Sequence, residues 1–88
     1  FKFAHFFNRP LGDWDVSNVT NMSEMFMGAL AFNQPIGDWD VLNATDRSYM
    51  FNCARDFNQD LGDWIMLDGT NIEGMFHGAD AYAMGAGT

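Results

Sequence analysis

The sequence is poor in positive charge, in cysteine and in long apolar runs. Lys2 is its one lysine, and 4 basic residues stand against 12 acidic ones, for a formal net charge of −8 at pH 7. A surface of that sign repels phosphate backbones, which excludes nucleic-acid binding. A single cysteine, Cys53, cannot close an internal disulfide or build a multi-cysteine zinc site. Because no apolar run reaches spanning length, we expect a chain that does not cross a membrane.

Aromatic residues and methionine are abundant instead, and they recur at a spacing of 25 residues with no insertion. A unit this short cannot bury its own apolar face, so it is expected to coil once and stack on identical neighbours. The apolar columns are therefore predicted to form the core. They comprise Trp14, Trp39 and Trp64; Phe1, Phe26, Phe51 and Phe76; Phe7, Phe32, Phe57 and Tyr82; and Met25, Met50 and Met75.

Two patterns of secondary structure follow each other within a unit. Residues 22–32 place apolar side chains at helical spacing, which predicts a short helix with Asn21, and its counterparts Asp46 and Asn71, as N-cap. Residues 11–20 predict a turn followed by a short strand. Cys53 shares a helix column with glycines, which predicts a small buried side chain there.

The expected fold is therefore an α/β solenoid of about 3.5 coils, each with one short strand and one short helix. Its units are 1–24, 25–49, 50–74 and a partial 75–88. The incomplete last unit suggests a fragment of, or a protomer in, a larger assembly.

Two strings carry a family resemblance. Residues 31–41, AFNQPIGDWDV, and residues 15–26, DVSNVTNMSEMF, resemble the BspA-type surface-protein repeat, a relative of the leucine-rich repeat, and the likeness extends over residues 1–82. The resemblance implies a right-handed, leucine-rich-repeat-like solenoid within an extracellular or cell-surface protein of adhesive role, without catalytic residues. The third unit departs from the pattern, because Ile65 begins IMLDG where the family has DVSNV.

Catalytic and metal-binding signals are weak. His5 and His77 occupy different columns, and no nucleophile, base and acid share a spacing, so we predict no enzyme and no cofactor. Paired carboxylates such as Asp13 with Asp15 could hold calcium, but their spacing matches neither an EF-hand loop nor a calcium-binding GGxGxD nonapeptide, and aspartate in a turn commonly bonds its own backbone. We predict no metal site, and a calcium-stabilised module stays as a third alternative.

N-glycosylation is a possible surface modification. Three Asn-X-Ser/Thr sequons occur, at Asn18, Asn21 and Asn43, and Asn18 and Asn43 share one column. Because Asn21 is the predicted N-cap, Asn18 and Asn43 are the better candidates.

Two functions remain open at this point. The first is a structural or adhesive solenoid that stacks end to end into a fibre, with a self-contact at its terminal coils. The second is an adhesion module that binds a host or matrix protein, or a glycan. The longitudinal contact would use Phe1, Phe3, Phe76 and Tyr82, and the binding face would use Asp15, Ser17, Asn18, Thr20, Asp40 and Asn43.

Overall fold

Little of the chain is regular secondary structure. The computed structural model describes residues 1–65 and 67–85, and in these it has one short helix, α1 (Asp80–Gly85), together with isolated parallel bridges that join Asn21 to Asp46 and Asp46 to Asn71. Neither the predicted helix at 22–32 nor the predicted strand at 11–20 forms. The expected right-handed, leucine-rich-repeat-like α/β solenoid is therefore wrong.

Left-handed backbone conformations explain why the predicted helices do not form. Two residues four apart in each unit have positive φ, and an α-helix cannot continue through residues of that conformation. The second of these two positions is held by glycine at residues 28 and 78 but by Cys53 between them, and Cys53 is exposed rather than buried as predicted. The residues are Glu24 and Gly28, Tyr49 and Cys53, and Gly74 and Gly78, with φ between 56° and 77°.

Backbone hydrogen bonds alternate between two directions along residues 22–29. The N–H groups of Met22, Glu24, Phe26 and Gly28 donate to carbonyl oxygens 24 residues later, at 2.7–2.9 Å. The N–H groups of Met25, Met27 and Ala29 donate to carbonyl oxygens three residues back, at 3.0–3.2 Å, whereas the Ser23 N–H donates to the Asn21 side chain. Each coil is thus a ribbon of turns, and every second N–H joins it to the next coil.

Two parallel columns of aromatic rings fill the centre of the stack. Rings in one column lie 5.5–6.0 Å apart from coil to coil, and the two rings of one coil lie 4.1–4.3 Å apart. Phe26, Phe32, Phe51 and Phe57 are fully buried. The columns consist of Phe1, Phe26, Phe51 and Phe76 beside Phe7, Phe32, Phe57 and Tyr82.

The tryptophan column extends this core, as predicted, in the second and third coils. The Trp39 ring is buried against Phe26, and its Nε1 donates to the Leu11 carbonyl at 3.0 Å. Trp64 repeats the contact one coil later. Trp14 is 49% exposed, so the column is not uniformly core.

Asparagine side chains form hydrogen bonds between neighbouring coils. The Oδ1 atom of Asn8 accepts the backbone N–H of Asn33, and Asn33 does the same for Asn58, each at 2.9 Å. The Nε2 of Gln34 and Gln59 donates to the same oxygens at 3.0 and 2.8 Å. This amide ladder lies on the surface.

Another polar column consists of Asn21, Asp46 and Asn71. Each Oδ1 accepts the backbone N–H two residues later, at 2.8–3.1 Å. This is the geometry of an Asx turn, so these residues close turns and are not the helix N-caps that the sequence predicts.

Candidate interaction surface

An acidic groove of about 400 Å³ crosses the turns of successive coils. Asp13, Asp38 and Asp63 contribute one carboxylate per coil, and Asp60 adds a fourth. Within residues 1–65 and 67–85, no three histidine, cysteine or acidic side chains come together as metal ligands would. The groove therefore concentrates negative charge without assembling a metal centre.

The predicted binding face lies on the segment that follows each tryptophan. Its residues are exposed, apart from Ser17, which is half-buried. The Asp15 carboxylate accepts bonds from the Ser17 hydroxyl at 2.6 Å and from its N–H at 3.0 Å, and these two bonds lower the pKa of Asp15. The Asn43 Nδ2 donates to the Ser17 carbonyl at 2.9 Å. Some polar groups of this face thus form hydrogen bonds within their own loop or to a neighbouring coil and are not free to bind a partner.

The same face changes from polar to apolar along the stack. One column of this face contains Asp15, Asp40 and Ile65. A second column contains Ser17, Leu42 and Leu67. Ile65 is 59% exposed, Leu67 48% and Leu42 37%. The departure of the third unit, visible in the sequence, thus places an apolar patch on the surface where the first coil is hydrophilic.

A buried arginine lies beneath this patch. Arg47 is fully buried in the column of Met22 and Ile72, and no carboxylate of the described residues forms an ion pair with it. Its Nε donates to the Ala44 carbonyl at 2.8 Å, and its Nη2 donates to the carbonyls of Val41 and Ile65 at 2.7 and 2.8 Å. Burial lowers the pKa of the guanidinium. The sequence carries one signal of this site, because Arg47 stands in a column that is otherwise apolar.

One family model matches this chain. Its description is Mycoplasma protein of unknown function, DUF285, and the match covers residues 1–86. The chain belongs to the DUF285 family. No curated protein and no solved structure matches it. The DUF285 match includes both the acidic groove and the apolar patch.

The sequons of this DUF285 chain are all on the surface. Asn21 uses its Oδ1 in the Asx turn, and Asn43 uses its Nδ2 to bond the previous coil. In the described part of the chain, the Asn18 side chain makes no hydrogen bond. Asn18 is therefore the sequon whose modification would disturb the DUF285 coils least.

The four residues predicted for a longitudinal contact lie on the outer coils. Phe1 and Phe3 are exposed, whereas Phe76 and Tyr82 are half-buried and stack on each other at 4.3 Å. Phe1, Phe76 and Tyr82 are the outer members of the two aromatic columns, whereas Phe3 lies outside these columns. The contact itself stays a prediction.

Among residues 1–65 and 67–85, no helix is long and apolar enough to cross a membrane.

Proposed function

We propose that this chain is a non-enzymatic structural or adhesive module of an extracellular or cell-surface protein. The observation that carries the proposal is the repetition of exposed polar columns, such as Asp13, Asp38 and Asp63, over a continuous aromatic stack. The coils of this stack follow one another at a fixed spacing, 5.5–5.8 Å between rings in the column of Phe1. Identical weak contacts at fixed spacing reinforce one another through multivalency.

The BspA-type resemblance is part of this proposal. The DUF285 family is associated with BspA-type repeat proteins, and the two strings quoted above supply the resemblance. A cell-surface location also suits the exposed sequons, and glycosylation at Asn18 would appear as a loss of intact mass after enzymatic deglycosylation.

Self-association through the outer coils is the first form of this function. Phe3 is 57% exposed and stands where the next two units have Gly28 and Cys53. The fold does not require an aromatic side chain in that column, and an exposed ring favours contact with another apolar surface. The proposed partner surface is the pair Phe76 and Tyr82.

Light scattering coupled to gel filtration tests this form. The apparent mass should rise with protein concentration, and Phe3→Gly should reduce the rise, whereas Leu67→Ser, which removes an exposed apolar side chain elsewhere, should not. A chain that stays monomeric at the highest soluble concentration contradicts stacking.

Binding to another macromolecule is the second form, and the apolar patch beside the acidic groove favours it. Beads coated with the chain at increasing density should adhere to surfaces of matrix protein or glycan more steeply than in proportion to density. Strict proportionality, or no adhesion to any surface, contradicts a multivalent adhesive role.

A further inference from the structure

We propose that the surface of the second and third coils docks an extended peptide segment that carries both apolar and basic side chains. The docking surface consists of an apolar patch, Leu42, Ile65 and Leu67, and the acidic groove beside it. The proposal rests on the binding form of the proposed function and names the partner class for it.

The apolar patch is not required by the coil. At the same two columns the first coil carries Asp15 and Ser17, and it forms the same ribbon of turns. Ile65 and Leu67 nevertheless keep 59% and 48% of their surface in contact with water. Exposed aliphatic side chains that a fold does not need, grouped and bordered by charged residues, are typical of an interaction surface.

The negative charges beside the apolar patch favour a partner with positive charge. Asp38, Asp60 and Asp63 line the groove, and Asp63 lies two residues before Ile65. Within the described residues, the one ion pair joins Lys2 to Glu24 in the first coil, so these three carboxylates have no basic partner. Lysine or arginine side chains on a peptide would supply that charge. A second copy of this chain would not, because each copy carries a net charge of −8.

The backbone that displays the patch is held in place from below. The Ile65 carbonyl accepts a hydrogen bond from the buried Arg47 guanidinium at 2.8 Å, and the same side chain bonds the Val41 carbonyl next to Leu42. Because a buried side chain fixes both loops, a peptide would meet a surface that needs little ordering on binding.

Fluorescence anisotropy with a labelled peptide, acetyl-Lys-Leu-Lys-Val-Lys-amide, tests the proposal. The peptide should bind, and the double variant Ile65→Asn with Leu67→Ser, which adds no charge, should weaken binding about tenfold or more, because it removes apolar contact area. Asp38→Asn with Asp63→Asn should weaken binding and flatten its dependence on salt concentration. Phe6→Ala, which removes an exposed ring far from the groove in sequence, should leave binding unchanged.

The chosen variants should fold, because the first coil has serine in the column of Leu67 and aspartate, which asparagine matches in size, in the column of Ile65. Urea unfolding checks this. Should the double variant unfold, Leu42→Ser alone carries the test and should also weaken binding.

Failure of the basic peptide to bind would overturn the proposal, and three other results would do so as well. One is equal binding of a Lys-Ser-Lys-Ser-Lys peptide, which would leave charge alone as the cause. Another is binding of Glu-Leu-Glu-Val-Glu as strongly as the basic peptide. The third is dimerisation of the chain that the double variant abolishes, because a second copy would then be the occupant. If the peptide fails while coated beads still adhere, this proposal alone is lost; if adhesion fails while the peptide binds, the multivalent function is lost.

Discussion

Removing one ring from the centre of the aromatic columns should cost most of the stability of the chain. Phe51 is fully buried and touches four other rings, with centroid distances of 4.3–6.2 Å. Phe51→Ala removes the ring and leaves a cavity that coils joined by backbone hydrogen bonds cannot easily close.

The magnitude follows from burial and from the ring contacts. Truncation of a buried phenylalanine costs about 3–5 kcal/mol, and each favourable aromatic pair adds roughly 0.5–1.5 kcal/mol to what area alone accounts for. With four ring neighbours, we expect Phe51→Ala at the upper end, about 5 kcal/mol. A chain of this length has a total stability on the order of 4–13 kcal/mol, so the variant should be marginally folded or unfolded.

Phe1→Ala is the matched control, because Phe1 belongs to the same column but is 39% exposed. It should cost only about 1–2 kcal/mol, since part of its surface already faces water. Phe51→Leu, which keeps much of the volume, should fall between the two.

Urea unfolding followed by tryptophan fluorescence measures these differences, because Trp39 and Trp64 pack on the column. A loss below about 2 kcal/mol for Phe51→Ala, or a loss no larger than for Phe1→Ala, would refute the view that the buried columns hold the coils together.

Three further predictions concern the polar columns and the strained backbone. Asn33→Ala should lower the free energy of unfolding by about 1 kcal/mol, because the Asn58 N–H loses its acceptor, whereas Asn33→Asp keeps an acceptor and should cost less; equal losses would contradict the ladder. The bonds from the Ser48 hydroxyl and N–H lower the pKa of Asp46 below its ordinary value of 3.8. The Asp46 carboxylate therefore stabilises the folded chain fully above that pH, and this contribution is lost as the pH falls through the folded pKa. Asp46→Asn should remove this part of the acid sensitivity when unfolding is measured from pH 6 to 2, and an unchanged profile would refute it. Cys53→Gly should raise the melting temperature, because relief of a left-handed φ of 59° outweighs the entropy of glycine, and a lower melting temperature would show that the strain is small.

The core columns were predictable because they depend on which side chains are apolar and on their spacing. Phe26 and Phe32 are predicted to lie in the core and are buried. Met22 and Ala29, which share their helical spacing, are buried as well, although the backbone between them is not a helix. A series of turns closed by bonds to the third residue back also brings side chains three or four apart onto one face. The helical pattern alone therefore could not distinguish the two backbones.

The candidate site was less accessible to prediction. The loop bonds of Asp15 and Asn43, which occupy part of the predicted binding face, depend on contacts between neighbouring loops and coils. The role of Arg47 was not predictable in this way, because its three carbonyl partners come from two coils and lie up to 18 residues from it in sequence. The exposure of Ile65 and Leu67 likewise depends on the path of the third coil, which places both side chains on the surface.

The 25-residue period, the acidic character, the apolar columns and the membership of a repeat family are properties of the sequence itself, because a repeated pattern of apolar side chains can be buried only by stacking. The tertiary structure decided the rest. Half of the N–H groups along residues 22–29 bond to the next coil instead of to their own turn, and this choice replaces the predicted helices with turns. Such bonds exist only when a neighbouring coil offers its carbonyl oxygens, so no single unit contains the information that selects them.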